Sequence, residues 1–263
     1  MKKLTVTLLL VLFLFPVHVF AKNETAAAKN APVAAVKNTP APAKNPSAPV
    51  TKNPSAPVEE QFKKSFPKNN FESITSTDVK GVYEVYTGNQ LYYYMPKDDV
   101  ILYGNLVNKG GVNITRESFL KKMALKMAKL PLDSALKIGN GKTTVVEFID
   151  PNCHFCRESH KFFAQYKDLT IYAFLFPLSK ESADKVKHIL CSKDAAKAYD
   201  DALSGRLDNA KLTACTDKKV DETAKTHMQL ATQVGLRGTP MFYIKGQIVD
   251  GFDKPVLEKL LKD

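Results

Sequence analysis

Hydrophobic and polar positions divide the chain into four stretches. Leu4 to Phe15 is almost wholly apolar, behind Lys2-Lys3 and closed by Pro16. From 22 to 58 large apolar groups nearly vanish, and Lys-Asn pairs recur among proline and alanine, with KNPSAPV present at 44–50 and again at 52–58. Residues 59–112 are patterned once more. EEQFKKSF predicts a short helix, and runs rich in Tyr, Val and Thr, broken at Gly81 and at Thr87-Gly88-Asn89, predict strands. Over 113–130, Phe119, Met123, Met127 and Leu130 recur at helical spacing, with Thr115 and Ser118 as the cap and Pro131 as the stop.

From 143 onward strand and helix patterns alternate. TTVVEFID predicts a buried strand, CHFCRESHKFFAQY a helix and LTIYAFLFP a second strand. Residues 180–235 are mainly helical, with breaks at Gly205 and near Asp208. PMFYIKG and QIVDGF form a hairpin around Lys245-Gly246, and KPVLEKLLKD closes the chain as a helix. The order β-α-β, helical insertion, β-β-α is the thioredoxin arrangement, so the expected class is α/β (α+β). The expected divisions are a signal peptide at 1–21, a tether at 22–58, a small α+β domain at 59–112, a linker helix at 113–137 and a catalytic domain at 138–263, its insertion at about 180–235. The small domain is too short to bury much core alone, so a second copy of itself is a natural partner.

The basic start, the short apolar core and Val19-Phe20-Ala21 are the marks of a cleaved secretory signal; a retained membrane anchor is the alternative, for which the core is too short to span comfortably. Export into a periplasm follows as the expectation. There, four cysteines point first to disulfide chemistry. The net charge of +11 is concentrated in the leader and the Lys-Asn stretch, leaving about +5 over 59–263. No basic stripe with interleaved aromatics exists, which excludes nucleic-acid binding. Nothing in the pattern calls for a cofactor or a metal.

Cys153 and Cys156 stand at the junction of a buried strand and a helix. Unpaired N–H groups and the positive end of the helix dipole stabilise a thiolate at such a mouth. His154 can add positive charge, and Phe155 completes the dipeptide between the sulfurs. Cys153 would attack a disulfide, and Cys156, nearly a turn deeper, would resolve the product. Half a zinc site would need a second Cys-x-x-Cys, which Cys191 and Cys215 do not form. Glu147 precedes the pair on a strand with apolar residues on both faces. Buried beneath the sulfurs it would shuttle the proton of the resolving thiol; turned outward it would be an ordinary surface carboxylate.

VVEFIDPNCHFCRESH, AFLFP and GLRGTPMFYIKGQIVDGF, in this order around a helical insert, resemble the DsbC/DsbG disulfide isomerases over about 59–263. The resemblance implies a V-shaped homodimer, misoxidised exported proteins as clients and a DsbD-like membrane reductase as partner. It implies a catalytic pair at Cys153 and Cys156, a cis-proline at Pro240 with Thr239 facing the disulfide and binding extended clients, and a structural disulfide between Cys191 and Cys215. Zinc held with His188 and His227 is the alternative for the latter two. Tyr92-Tyr93-Tyr94 would serve either as apolar client surface or in the dimer interface. The His-Phe dipeptide departs from the Gly-Tyr familiar in DsbC, and Glu147 resembles DsbA-type oxidases. A dithiol oxidase on this fold is therefore the first alternative, and a chaperone or surface-tethered binding module the second.

Overall fold

The computed structural model describes residues 55–212 and 215–262. The expected signal peptide, and the tether up to residue 54, lie outside the described residues. Helix α1 (Ala56–Ser65) begins three residues before Glu59, inside the stretch read as tether. Pro57 explains the difference: near a helix start its missing N–H costs nothing and its fixed φ suits the first turn. Phe62 is wholly buried under α1, with the Phe71 and Tyr94 rings edge-on to it.

Four short strands follow, β1 (Ser73–Ser76), β2 (Tyr83–Tyr86), β3 (Leu91–Met95) and β4 (Val100–Leu102). They pair antiparallel in sequence order. Side chains alternate along β3. Tyr92 and Tyr94 join Phe62, Ile74 and Val85 in one apolar cluster. The Tyr93 hydroxyl shares a hydrogen bond with Thr115 Oγ1. All three tyrosines are buried within the protomer, so neither a client surface nor a dimer interface uses them.

Helix α2 (Ile114–Met127) is capped by Asn113, whose Oδ1 accepts the Arg116 N–H at 2.9 Å, rather than by Thr115 and Ser118. Thr115 is turned inward, where its Oγ1 also accepts the Leu106 N–H. Phe119, Met123 and Met127 pack with Val146, Phe148 and Phe174 of the second sheet. The helix therefore covers a face of the catalytic sheet as well as joining two parts of the chain. It stops well short of residue 137. A 3-10 turn (Leu132–Ser134) follows, and strand β5 (Leu136–Ile138) already belongs to the second sheet.

The remaining elements are β6 (Thr143–Ile149), α3 (His154–Phe163), β7 (Leu169–Leu175), α4 (Lys180–Cys191), α5 (Ala195–Leu203), α6 (Lys218–Val234), β8 (Met241–Ile244), β9 (Gln247–Asp250) and α7 (Lys254–Lys262). The sheet order is β5-β7-β6-β8-β9, with β6 and β7 parallel and the other pairs antiparallel. This is a thioredoxin fold carrying α4, α5 and α6 between β7 and β8. Central strand β6 is buried on both faces. Val145 and Ile149 look toward α3 and α5, Val146 and Phe148 toward α2 and α6. Helix α6 ends on Gly235 at φ +81°, where the Leu236 N–H returns to the Ala231 carbonyl; a Cβ there would also meet the Gly88 carbonyl. Among the described residues no helix is long and apolar enough to cross a membrane.

Cys191, at the end of α4, is bonded to Cys215, 24 residues later. Both nitrogens of His227 are occupied: Nδ1 accepts the Leu175 N–H at 3.0 Å and Nε2 donates to the Ser134 carbonyl. Burial lowers its pKa and keeps the ring neutral. The zinc alternative thus has neither free thiolates nor this imidazole. Replacing both cysteines by alanine should lower the unfolding free energy by about 3 kcal/mol, through the added freedom of the open loop in the unfolded chain. A urea titration of both proteins measures it, and thiol exchange at Cys153 should persist.

Candidate active site

Strand β6 delivers the chain to Asp150, whose buried carboxylate organises the turn into α3. Its oxygens accept the Asn152 N–H at 2.6 Å, the Leu178 N–H at 2.6 Å and the Ser182 hydroxyl at 2.7 Å. The turn is thereby tied to the start of α4. The Asp150 carbonyl accepts the Cys153 N–H at 3.1 Å, and the Asp150 N–H donates to Cys156 Sγ at 3.4 Å. One residue therefore grips both cysteines through its backbone.

Cys153 is the N-cap of α3, with extended backbone and no side-chain capping bond to the helix. Its sulfur is half-buried and borders the open N–H groups of the first turn, where a negative group is favoured. Its thiol donates to the Thr239 carbonyl at 3.4 Å. Cys156, one turn on, is sealed from solvent. Burial pushes its thiol far up, which the Asp150 N–H opposes. Thr239 Oγ1 is buried with no hydrogen bond of its own, yet it lies close enough to Cys156 to favour the charged sulfur. The pair is thus asymmetric, one thiol accessible and one held protonated in the core.

The Thr239–Pro240 peptide is cis, and the Pro240 carbonyl accepts the Gly251 N–H of the β8–β9 hairpin. His154 and Phe155 face outward with their rings 5.4 Å apart. Phe155 is 58% exposed and Leu178 60% exposed, an apolar rim for so polar a surface. Glu147 lies beneath, only 1% exposed, on the same buried face of β6 as Val145 and Ile149. Burial raises its pKa to about 7, against a hydrogen bond donated by the Tyr199 hydroxyl. Of the residues singled out in the sequence, the fold gathers Cys153, Cys156, Thr239 and Pro240 at one place, with Glu147 below them. Cys191 and Cys215 form a separate bridge.

Three features escape the sequence pattern. Asp150 was legible in principle, since a carboxylate followed by Pro-Asn after a buried strand is a turn signature. Tyr199 comes from α5, 52 residues from Glu147. The third is a charge cluster behind the turn. Arg157 donates to the Pro151 carbonyl and Asn152 Oδ1 and grips Asp208 through two bonds of 2.7 Å. Buried Lys185 reaches Asn152 and Asp208 as well. Hydrogen bonds from these two cations hold the Asp208 carboxyl far below the usual carboxylate range.

The chain is similar in sequence to known thiol:disulfide interchange proteins. The N-terminal domain of the disulfide bond isomerase family matches residues 24–116, and the thioredoxin-like domain matches residues 131–263. The probable thiol:disulfide interchange protein DsbC of Bordetella pertussis is 31% identical over 210 residues, covering 77% of this chain and 72% of the relative. The thiol:disulfide interchange protein DsbC of Escherichia coli is 27% identical over 192 residues, covering 69% of this chain and 77% of the relative. The crystal structure of a disulfide interchange protein from Neisseria gonorrhoeae is 33% identical with a TM-score of 0.43, covering 51% of this chain and 96% of that one.

Proposed function

The chain belongs to the DsbC family of thiol:disulfide interchange proteins and is a thiol:disulfide oxidoreductase, and we propose that it rearranges wrong disulfides in exported proteins of a periplasm. The observation that carries this reading is the asymmetric pair, an accessible Cys153 at a helix mouth above a sealed Cys156. In the reaction, Cys153 thiolate attacks one sulfur of a client disulfide. A Cys153–client bond forms, the client S–S bond breaks, and the other client sulfur leaves as a thiolate. That thiolate can attack a second disulfide within the client, and the thiolate so released attacks the client sulfur of the mixed disulfide. A new client disulfide forms as the Cys153–client bond breaks and Cys153 leaves as thiolate, which is isomerisation without net electron transfer. Where no such attack follows, Cys156 gives its proton to the Glu147 carboxylate and displaces the client. Cys153 and Cys156 are then oxidised, and the client disulfide has been reduced.

Thr239 and Pro240 would orient the client strand beside the sulfur, with Phe155 and Leu178 as apolar contacts. A DsbD-like membrane reductase would return the pair to the dithiol, as isomerisation needs it mainly reduced. A homodimer is supported by the outer edge of the first sheet. Val100 and Leu102 on β4 are exposed, and Tyr103 beyond it is 67% exposed, an apolar edge that a second copy would cover.

The test is refolding of a scrambled multi-disulfide protein in a glutathione buffer. The protein should accelerate reactivation, and sedimentation should give twice the chain mass. Rapid oxidation of a reduced client without rescue of the scrambled one would instead establish the dithiol oxidase.

A further inference from the structure

We infer that Tyr199 is a positioning residue for the resolving half-reaction: its hydroxyl holds the Glu147 carboxylate on the buried face under Cys156, ready to take that thiol's proton. The inference rests on the proposed exchange at Cys153 and Cys156 and adds a residue from the helical insertion to it. Tyr199 is buried, and its hydroxyl donates to Glu147 Oε1. Among the described residues no other hydrogen bond reaches the Glu147 side chain. The ring is fixed from the catalytic helix, because the His160 ring meets it edge-on at 5.4 Å and His160 Nε2 is 2.8 Å from Asp200 Oδ1. Burial, and then the Glu147 carboxylate, push the Tyr199 hydroxyl far above its usual range, so it stays protonated and can only donate. The titratable group facing Glu147 is Tyr199 of α5. About Tyr199 itself lie Glu147 of β6, Cys156 and His160 of α3, and Asp200 of α5, so the phenol stands between the carboxylate and the resolving thiol. The neighbouring strands supply Ala173 and Phe242, which do not titrate.

The chemistry follows from a balance. Burial alone would keep Glu147 protonated at neutral pH and unable to accept anything. The phenol favours the carboxylate and returns its pKa to about 7, where one group can take the Cys156 proton and later release it. In the step, the Cys156 S–H bond breaks and its proton passes to Glu147. The Cys156–Cys153 bond then forms as the Cys153–client bond breaks, and the client leaves as a thiolate.

The experiment mixes reduced full-length protein with oxidised glutathione and follows both phases by acid quench from pH 5 to 9. The first phase is capture of glutathione by Cys153, the second its release by Cys156. In wild type the second phase should inflect near pH 7, and Glu147→Gln should lose that inflection. Tyr199→Phe removes a donor to the carboxylate, so the inflection should move up by about one to two pH units. Site-specific 3-fluorotyrosine at 199 keeps the packing and strengthens the donor, so the inflection should move down. This second variant decides the matter should Tyr199→Phe fold poorly. Coincident inflections for wild type and either Tyr199 variant overturn the inference while leaving the exchange reading intact. Absence of the first phase in wild type sinks the exchange reading and the inference together.

Discussion

Replacing Cys153 with serine is expected to bring client reduction and isomerisation down to the uncatalysed rate, whereas Cys156→Ser is expected to keep attack and lose release. The difference comes from where the two sulfurs sit. Cys153 is the half-buried N-cap of α3 and the only thiol of the pair that a client strand can touch. A serine hydroxyl in its place is far too weak an acid to supply the nucleophile at neutral pH. Cys156 is enclosed, and burial holds it protonated. Without it the captured client can leave only by its own internal rearrangement. Scrambled-protein reactivation should thus vanish in Cys153→Ser. In Cys156→Ser it should persist in part, with a long-lived protein–client adduct on non-reducing gels. Equal losses in the two variants, with no adduct in either, would remove the asymmetry on which the mechanism stands.

The second large effect is thermodynamic. Glu147 has a folded pKa near 7, against 4.5 for the free side chain, because it is enclosed by β6, α3 and α5. Between those values the native protein keeps a proton that the unfolded chain has released. Native protein then binds more protons, so this group's contribution to stability falls as pH rises through that window and stays low above it. The loss amounts to about 3 kcal/mol. Glu147→Gln carries no such titration and still offers an oxygen to Tyr199. The unfolding free energy of the variant minus that of wild type should therefore grow by about 3 kcal/mol between pH 4.5 and 8. Taking the difference cancels carboxylates elsewhere, including Asp208. Urea titrations at several pH values measure it. A difference independent of pH would mean that Glu147 is solvated, and the proton-transfer role would fall with it.

What the sequence made legible is the frame around these groups. Seven residues of strand pattern in β6, apolar on both faces, located the central strand. The cysteine spacing located the helix mouth, and Lys245-Gly246 the hairpin. Local chemistry hid the boundaries. Pro57 begins α1 inside Pro- and Ala-rich sequence that carries no apolar period. Three residues, Leu136 to Ile138, make a strand only because β7 offers an open edge. Asn113 caps α2 because Thr115 is drawn inward by Tyr93 and Leu106. Alternation along β3 carried the Tyr92–Tyr94 run into the core. The pairing of Cys191 with Cys215 and the isomer at Pro240 were implied by family likeness, not by spacing. Tyr199 and Asp208 reach the site across more than fifty residues. Only the folded insertion brings them there, and no periodicity announces it.

The most direct measurement mixes reduced Cys156→Ser protein with an excess of a disulfide-bonded peptide, quenches with acid within seconds, and maps the adduct by mass spectrometry. The account predicts a single peptide joined at Cys153, with Cys191 and Cys215 still joined to each other. Peptide attached at Cys191 or Cys215, or none attached at all, would contradict it.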